Sequence, residues 1–218
     1  MNRHPENSNL ILHHEPHYQG LPVQVQKGPF ITQYLDRLYT TMSRALDEYS
    51  RVLAFRVDLR FPASMDLADL STANQALSRF FESLKAQIKH NRQIAGQSNE
   101  RVHESNVRYV WVRESGQFGR PHYHLVIFLN FDAYCCLGKY ELGRDNLFNR
   151  LHKAWGSALG LPVEAVVGLV ELPKNAGYVL RRDNLEEIAG FYYRASYLCK
   201  VATKQYGDWQ HAFGRSRI

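Results

Sequence analysis

His122 and His124 stand one residue apart and open the apolar run Leu125-Val126-Ile127-Phe128. Alternate side chains of an extended strand share a face, so both imidazoles project to one side while Tyr123 and Leu125 project to the other. Two such imidazoles hold a divalent metal when further donors complete the set; without them, neutral histidines on a sheet simply pack and hydrogen-bond. Glu114 lies eight residues before His122, at the end of the preceding apolar segment and across the expected hairpin loop, and is the first candidate for the third donor. Gln117, His103, Glu104 and Asp58 are the others. Nitrogen and oxygen donors without thiolate suit Mg²⁺ or Mn²⁺ acting on phosphate, and three protein ligands leave positions open for water and a phosphate oxygen.

A second group lies far downstream. At 100° per residue, Tyr193, Tyr197 and Lys200 fall at roughly 0°, 40° and 340° around a helix, so the sequence predicts all three on one narrow face. A phenol with a pKa of about 10 is a poor nucleophile unless its target is activated and a cation assists, a part that Lys200 can take. The same spacing also serves an aromatic packing stripe. Arg120, next to the histidine strand, is the first candidate for a phosphate contact, ahead of Arg181, Arg182, Arg194, Arg215 and Arg217.

The elements that must position these groups follow from periodicity. Residues 1–27 are rich in Asn, His, Pro and Gln and read as a flexible arm. Residues 30–49 carry a helical stripe (Ile31, Tyr34, Leu35, Leu38, Met42, Ala45, Leu46), and residues 52–60 form a strand stopped by Pro62. A second helix opens at Ser71 and buries Leu77, Phe80, Phe81, Leu84 and Ile88. Residues 107–114 and 122–131 read as an antiparallel hairpin. A helix over 144–159, short strands within 165–172 and 177–181, and a last long helix over 184–204 complete the order, with an irregular basic tail at 207–218. The result is an α+β sandwich with a mostly antiparallel sheet, the main domain spanning 28–206.

Composition narrows the partner. The chain has 218 residues and a formal charge of +6, which favours an anionic partner. Cys135 and Cys136 are adjacent and Cys199 is distant, a pattern with no disulfide framework that fits a reducing cytoplasm. No secretory signal and no run of about 18 apolar residues is visible, so no membrane association is expected.

His122-Tyr123-His124 followed by hydrophobic residues, together with Tyr193-x-x-x-Tyr197-x-x-Lys200, resembles the HUH endonuclease superfamily of rolling-circle replication initiators. The two-tyrosine form is similar to the Rep proteins of single-stranded DNA phages. Residues 52–204, about two-thirds of the chain, also resemble the replication-protein-like, inovirus gene-two-type family of filamentous-phage-type prophages. Phe55-Arg56-Val57-Asp58 matches that family's first motif only loosely. The resemblance implies a ferredoxin-like (RRM-like) central sheet flanked by helices, a metal held by Glu114, His122 and His124, and metal-dependent nicking and joining of single-stranded origin DNA. One of Tyr193 and Tyr197 would attack first, leaving a 5′-phosphotyrosyl link and a 3′-hydroxyl that primes replication. No Walker-type loop is present, so such an enzyme would work with a host helicase. The alternatives are a catalytically silent prophage DNA-binding regulator on the same fold, and an RNA-binding domain.

Overall fold

Alternation of apolar and polar residues in three central segments builds a sheet whose two faces differ in chemistry. The computed structural model describes residues 2–65, 67, 70–116, 119–202, 204 and 211–217. Along the chain these form β1 (Arg3–His4), β2 (Asn7–His13), β3 (His17–Tyr18), β4 (Leu21–Pro22), β5 (Phe30–Ile31), α1 (Thr32–Glu48), β6 (Arg51–Leu59), α2 (Leu70–Ser98), β7 (Arg108–Ser115), β8 (Pro121–Asn130), α3 (Leu147–Leu159), β9 (Val170–Glu171), β10 (Gly177–Arg181), α4 (Leu185–Ala195) and β11 (Phe213–Arg215). Short 3-10 turns occupy Val25–Lys27, Val163–Val166 and Ser196–Cys199.

The main sheet has the order β10-β6-β8-β7-β11, with every neighbouring pair antiparallel and β9 also on β6. This is the expected mixed architecture, an antiparallel sheet flanked by helices. The register sets Asp58 opposite His124 and Glu114 opposite His122. Tyr123, Leu125, Ile127 and Leu129 pack with Leu53, Phe55, Val57 and Leu59 against α2 and α3. Trp155 of α3 is fully buried there, and its indole N–H donates to Arg60 O at 2.8 Å. The opposite face carries Val126 and Phe128 with Val52, Ala54, Val110 and Val112, under α1 and α4.

Local signals explain where the helices begin. Asn146 and Asn184 cap α3 and α4 by accepting the backbone N–H of Asn149 and Glu187, satisfying donors a helix start leaves free. Gly160 ends α3 at φ 68, a left-handed turn that glycine adopts without a Cβ penalty.

Four expectations are corrected. Residues 1–27 are no free arm: β1 and β2 join β5 in a three-stranded sheet, β3 pairs β4, and Leu21 and Val23 enter the core beneath α4. The last helix stops at Ala195 instead of running to residue 204. Ser196 Oγ donates back to Tyr193 O at 2.6 Å and accepts the Gln24 N–H at 3.1 Å, so the chain tightens into a 3-10 turn. Lys200 is then extended, bridged to Phe30. Within 165–172 only Val170–Glu171 is a strand. The tail, whose residues 207–210 and 218 lie outside the described residues, returns as β11 on β7. Gly214 lets it approach, since a Cβ there would meet the Trp111 indole at 2.5 Å.

Candidate metal centre

At the end of the sheet where β8 begins, the face beneath α1 and α4 turns from apolar to polar. His122 Nε2 and His124 Nε2 are 3.1 Å apart, and Glu114 Oε2 lies 3.5 Å from His124 Nε2. One donor atom from each of the three residues falls within 4.8 Å of the others, forming a candidate metal-binding triad. Ligands each ~2.1 Å from one ion at tetrahedral or octahedral angles stand about 3.0–3.4 Å apart, close to the 3.1 and 3.5 Å spacings about His124.

A polar network behind the triad fixes its orientation. His124 Nδ1 lies 2.8 Å from Asp58 Oδ1, and Arg56 holds both Asp58 oxygens at 2.9 Å through Nε and Nη2. Arg56 Nη2 is also 3.0 Å from His124 Nδ1, but a guanidinium N–H and an imidazole N–H cannot both donate there. We assign the Nδ1 proton to the closer Asp58 oxygen, which leaves Nε2 facing Glu114 and His122.

The charges follow from burial and partners. Burial opposes a positive His124, yet its hydrogen bonds to Asp58 and Glu114 outweigh that and raise its pKa. His122 is lowered by burial and by the neighbouring His124, against the weaker pull of Glu114 and Asp58. Burial pushes Asp58 upward, but the bonds from His124 and Arg56 win and hold it below the ordinary carboxylate value.

Two lysines converge on the third ligand. Lys204 Nζ donates to Glu114 Oε1 at 2.7 Å with its side chain fully buried, and Lys200 Nζ lies 3.6 Å from the same oxygen. Burial lowers the Lys204 pKa, against the opposing pull of Glu114. Lys200 also sits 3.6 Å from the centre of the Tyr197 ring, so this tyrosine is tied to the triad through one ammonium.

The expected shared face of Tyr193, Tyr197 and Lys200 does not form, because α4 ends between the two tyrosines. Tyr193 is exposed, and its hydroxyl accepts from Gln26 Nε2 at 2.9 Å. Arg120 lies beside the site, lining a cleft of about 510 Å³ with Arg60, Phe61, Gly116, Pro121 and His122. Its Nη2 donates to Pro62 O and Met65 O at 2.6 and 3.2 Å, so this guanidinium nitrogen ties down a loop.

The other third-ligand candidates separate cleanly. Gln117 lies outside the described residues. Glu104 O accepts from Asn130, at the far end of β8 from His122, and His103 is exposed. Asp58 belongs to the site but stands behind His124. Arg56 and Lys204 were not anticipated. Charged residues at alternate positions of an otherwise apolar strand were a readable signal for Arg56 with Asp58, whereas nothing local marked Lys204.

Fold and site together define a mixed α/β protein with an antiparallel sheet and a His-His-Glu cluster at one end. None of the helices, among the described residues, is long and apolar enough to cross a membrane. Residues 13–216 match the YagK/YfjJ C-terminal domain, and the chain belongs to that family. It is 36% identical to YfjJ of Escherichia coli (strain K12), over 87% of this chain and 96% of that protein. With YagK of the same strain it shares 32% identity, over 92% of this chain and 98% of the relative. Both relatives are described as uncharacterized. No solved structure matches the chain.

Proposed function

We propose that this domain is an HUH-type endonuclease that nicks and rejoins single-stranded DNA through a 5′-phosphotyrosyl intermediate, initiating rolling-circle replication of a phage or mobile element. The observation that carries this reading is the triad of Glu114, His122 and His124 with Tyr197 tied to it through Lys200. The chain order β6-α2-β7-β8-α3-β10, with the two-residue β9 inserted before β10, and the sheet order β10-β6-β8-β7 support a ferredoxin-like core. The formal charge of +6 suits a polyanionic strand, met in the cytoplasm and opened by a host helicase.

Glu114, His122 and His124 would hold Mg²⁺ or Mn²⁺, which when bound supplies Lewis-acid polarisation of the scissile phosphate. Asp58 keeps His124 in the tautomer that presents Nε2. Tyr197 is the first nucleophile: its hydroxyl oxygen forms the bond to phosphorus, the bond to the 3′ oxygen breaks, and a proton passes from the phenol to that leaving oxygen. Lys200, beneath the ring, favours the developing phenolate and offsets charge on the phosphate. Tyr193 and Arg120 act outside this first step, Tyr193 as acceptor for a second strand and Arg120 by shaping the cleft beside His122.

The test is a pool of single-stranded oligonucleotides incubated with Mn²⁺ or Mg²⁺ and resolved for a covalent protein-DNA band. Wild type and Tyr193→Phe should form the adduct, and Tyr197→Phe should not. Tight DNA binding with no adduct under either metal would assign the domain as the catalytically silent DNA-binding regulator.

A further inference from the structure

We propose that Lys204 is a built-in cationic competitor of the metal triad, holding Glu114 in an internal ion pair and keeping the affinity for a divalent cation low. This rests on the metal-binding part of the proposed function and not on its DNA chemistry.

Glu114 is buried, and a buried carboxylate needs a partner charge. Lys204 supplies one at 2.7 Å on Oε1, with its side chain 0% exposed. Lys200 brings a second ammonium to within 3.6 Å of the same oxygen, its side chain 6% exposed. The Arg56 and Asp58 charges cancel in their own bidentate pair. At formal charges, Glu114 with the two lysines therefore carries one net positive charge before any cation arrives. Tight cation sites do the opposite and gather several carboxylates, since ligand charge sets affinity. Water cannot screen groups this deeply buried, so the repulsion between Lys204 and an incoming divalent ion is strong.

Geometry alone permits a competing role for the same residue. Lys204 engages Oε1, while Oε2 is the oxygen turned toward His124. A residue that merely orients Glu114 and one that competes with the ion predict opposite signs on removal. Charge competition is favoured because Lys200 remains beside Oε1 to hold the carboxylate when Lys204 is gone.

The deciding measurement is calorimetric titration of Mn²⁺ alone into the full chain, comparing wild type with Lys204→Met and Lys204→Gln. Methionine keeps the apolar volume, and glutamine keeps a hydrogen-bond donor for Glu114 while removing the charge. Both variants should bind Mn²⁺ about tenfold more tightly or better. Unchanged or weakened binding in the folded variants would show that Lys204 orients Glu114 and would overturn the proposal, as would failure of both variants to fold. If neither wild type nor variants bind Mn²⁺, the metal reading of the triad falls and takes this proposal with it. Tightened Mn²⁺ binding without a DNA adduct would leave the role of Lys204 standing and remove the nickase.

Discussion

The two faces of the central sheet are made from the same strands, yet they are built for different ends. Toward α2 and α3, β8 presents Tyr123, Leu125, Ile127 and Leu129, and the packing is apolar from one end to the other, anchored on Trp155. Toward α1 and α4, the same strand presents Phe128 and Val126, then His124 and His122. The helices on that second side pack on its apolar residues. At the polar end, Arg56 pairs with Asp58 and two lysines converge on Glu114, with His124 linking the two carboxylates. One face stores stability, and the other spends its last two register pairs on a candidate site.

This contrast can be broken by substitution, and the largest effect belongs to the apolar face. Trp155→Ala removes a fully buried indole and should cost about 3–5 kcal/mol in urea unfolding. The Mn²⁺ affinity of the folded fraction should stay unchanged; a lost affinity would mean that the two faces are coupled. His124→Ala should reverse the pattern, reducing Mn²⁺ binding by on the order of 100-fold or more in calorimetry while costing less stability than Trp155→Ala. Asp58→Asn keeps the shape behind His124 but weakens its hold on the Nδ1 proton, and should lower Mn²⁺ affinity by about 10- to 100-fold. An unaltered affinity would detach Asp58 from the site. The smallest effect is expected in the helical layer over the second face: Asn184→Ala removes the α4 cap and should cost about 1 kcal/mol, read from the unfolding midpoint, with Mn²⁺ binding intact.

The hairpin and its chemistry were legible because strand periodicity is local. His122 and His124 share a face by alternation alone, and a short loop sets Glu114 opposite His122. The amphipathic stripes of α1 and α2 were equally plain, whereas the caps that start the last two helices were read only in the structure. By contrast, polar composition concealed the order of residues 1–27. Their strands are held by backbone pairing and by a few apolar anchors such as Leu21 and Val23, which no periodic pattern announces. β11 escaped for a similar reason, being three residues long with a glycine at its centre.

By itself, then, the sequence determined the antiparallel hairpin, the pair of imidazoles with a carboxylate across from them, and the helical stripes that cover the sheet. Tertiary structure alone decided which lysines reach that carboxylate and which tyrosine lies against one of them. Residues 191–204 carry no glycine or proline to stop a helix at Ala195. The turn there is set by Gln24 on Ser196 and by the pairing of residues 29 and 30 with 200 and 201, contacts spanning some 170 residues of chain. A helical period extrapolates only as far as its own hydrogen bonds continue, and the fold ended them one turn too soon for Tyr193 to join Tyr197 and Lys200, while carrying Lys204 into the site.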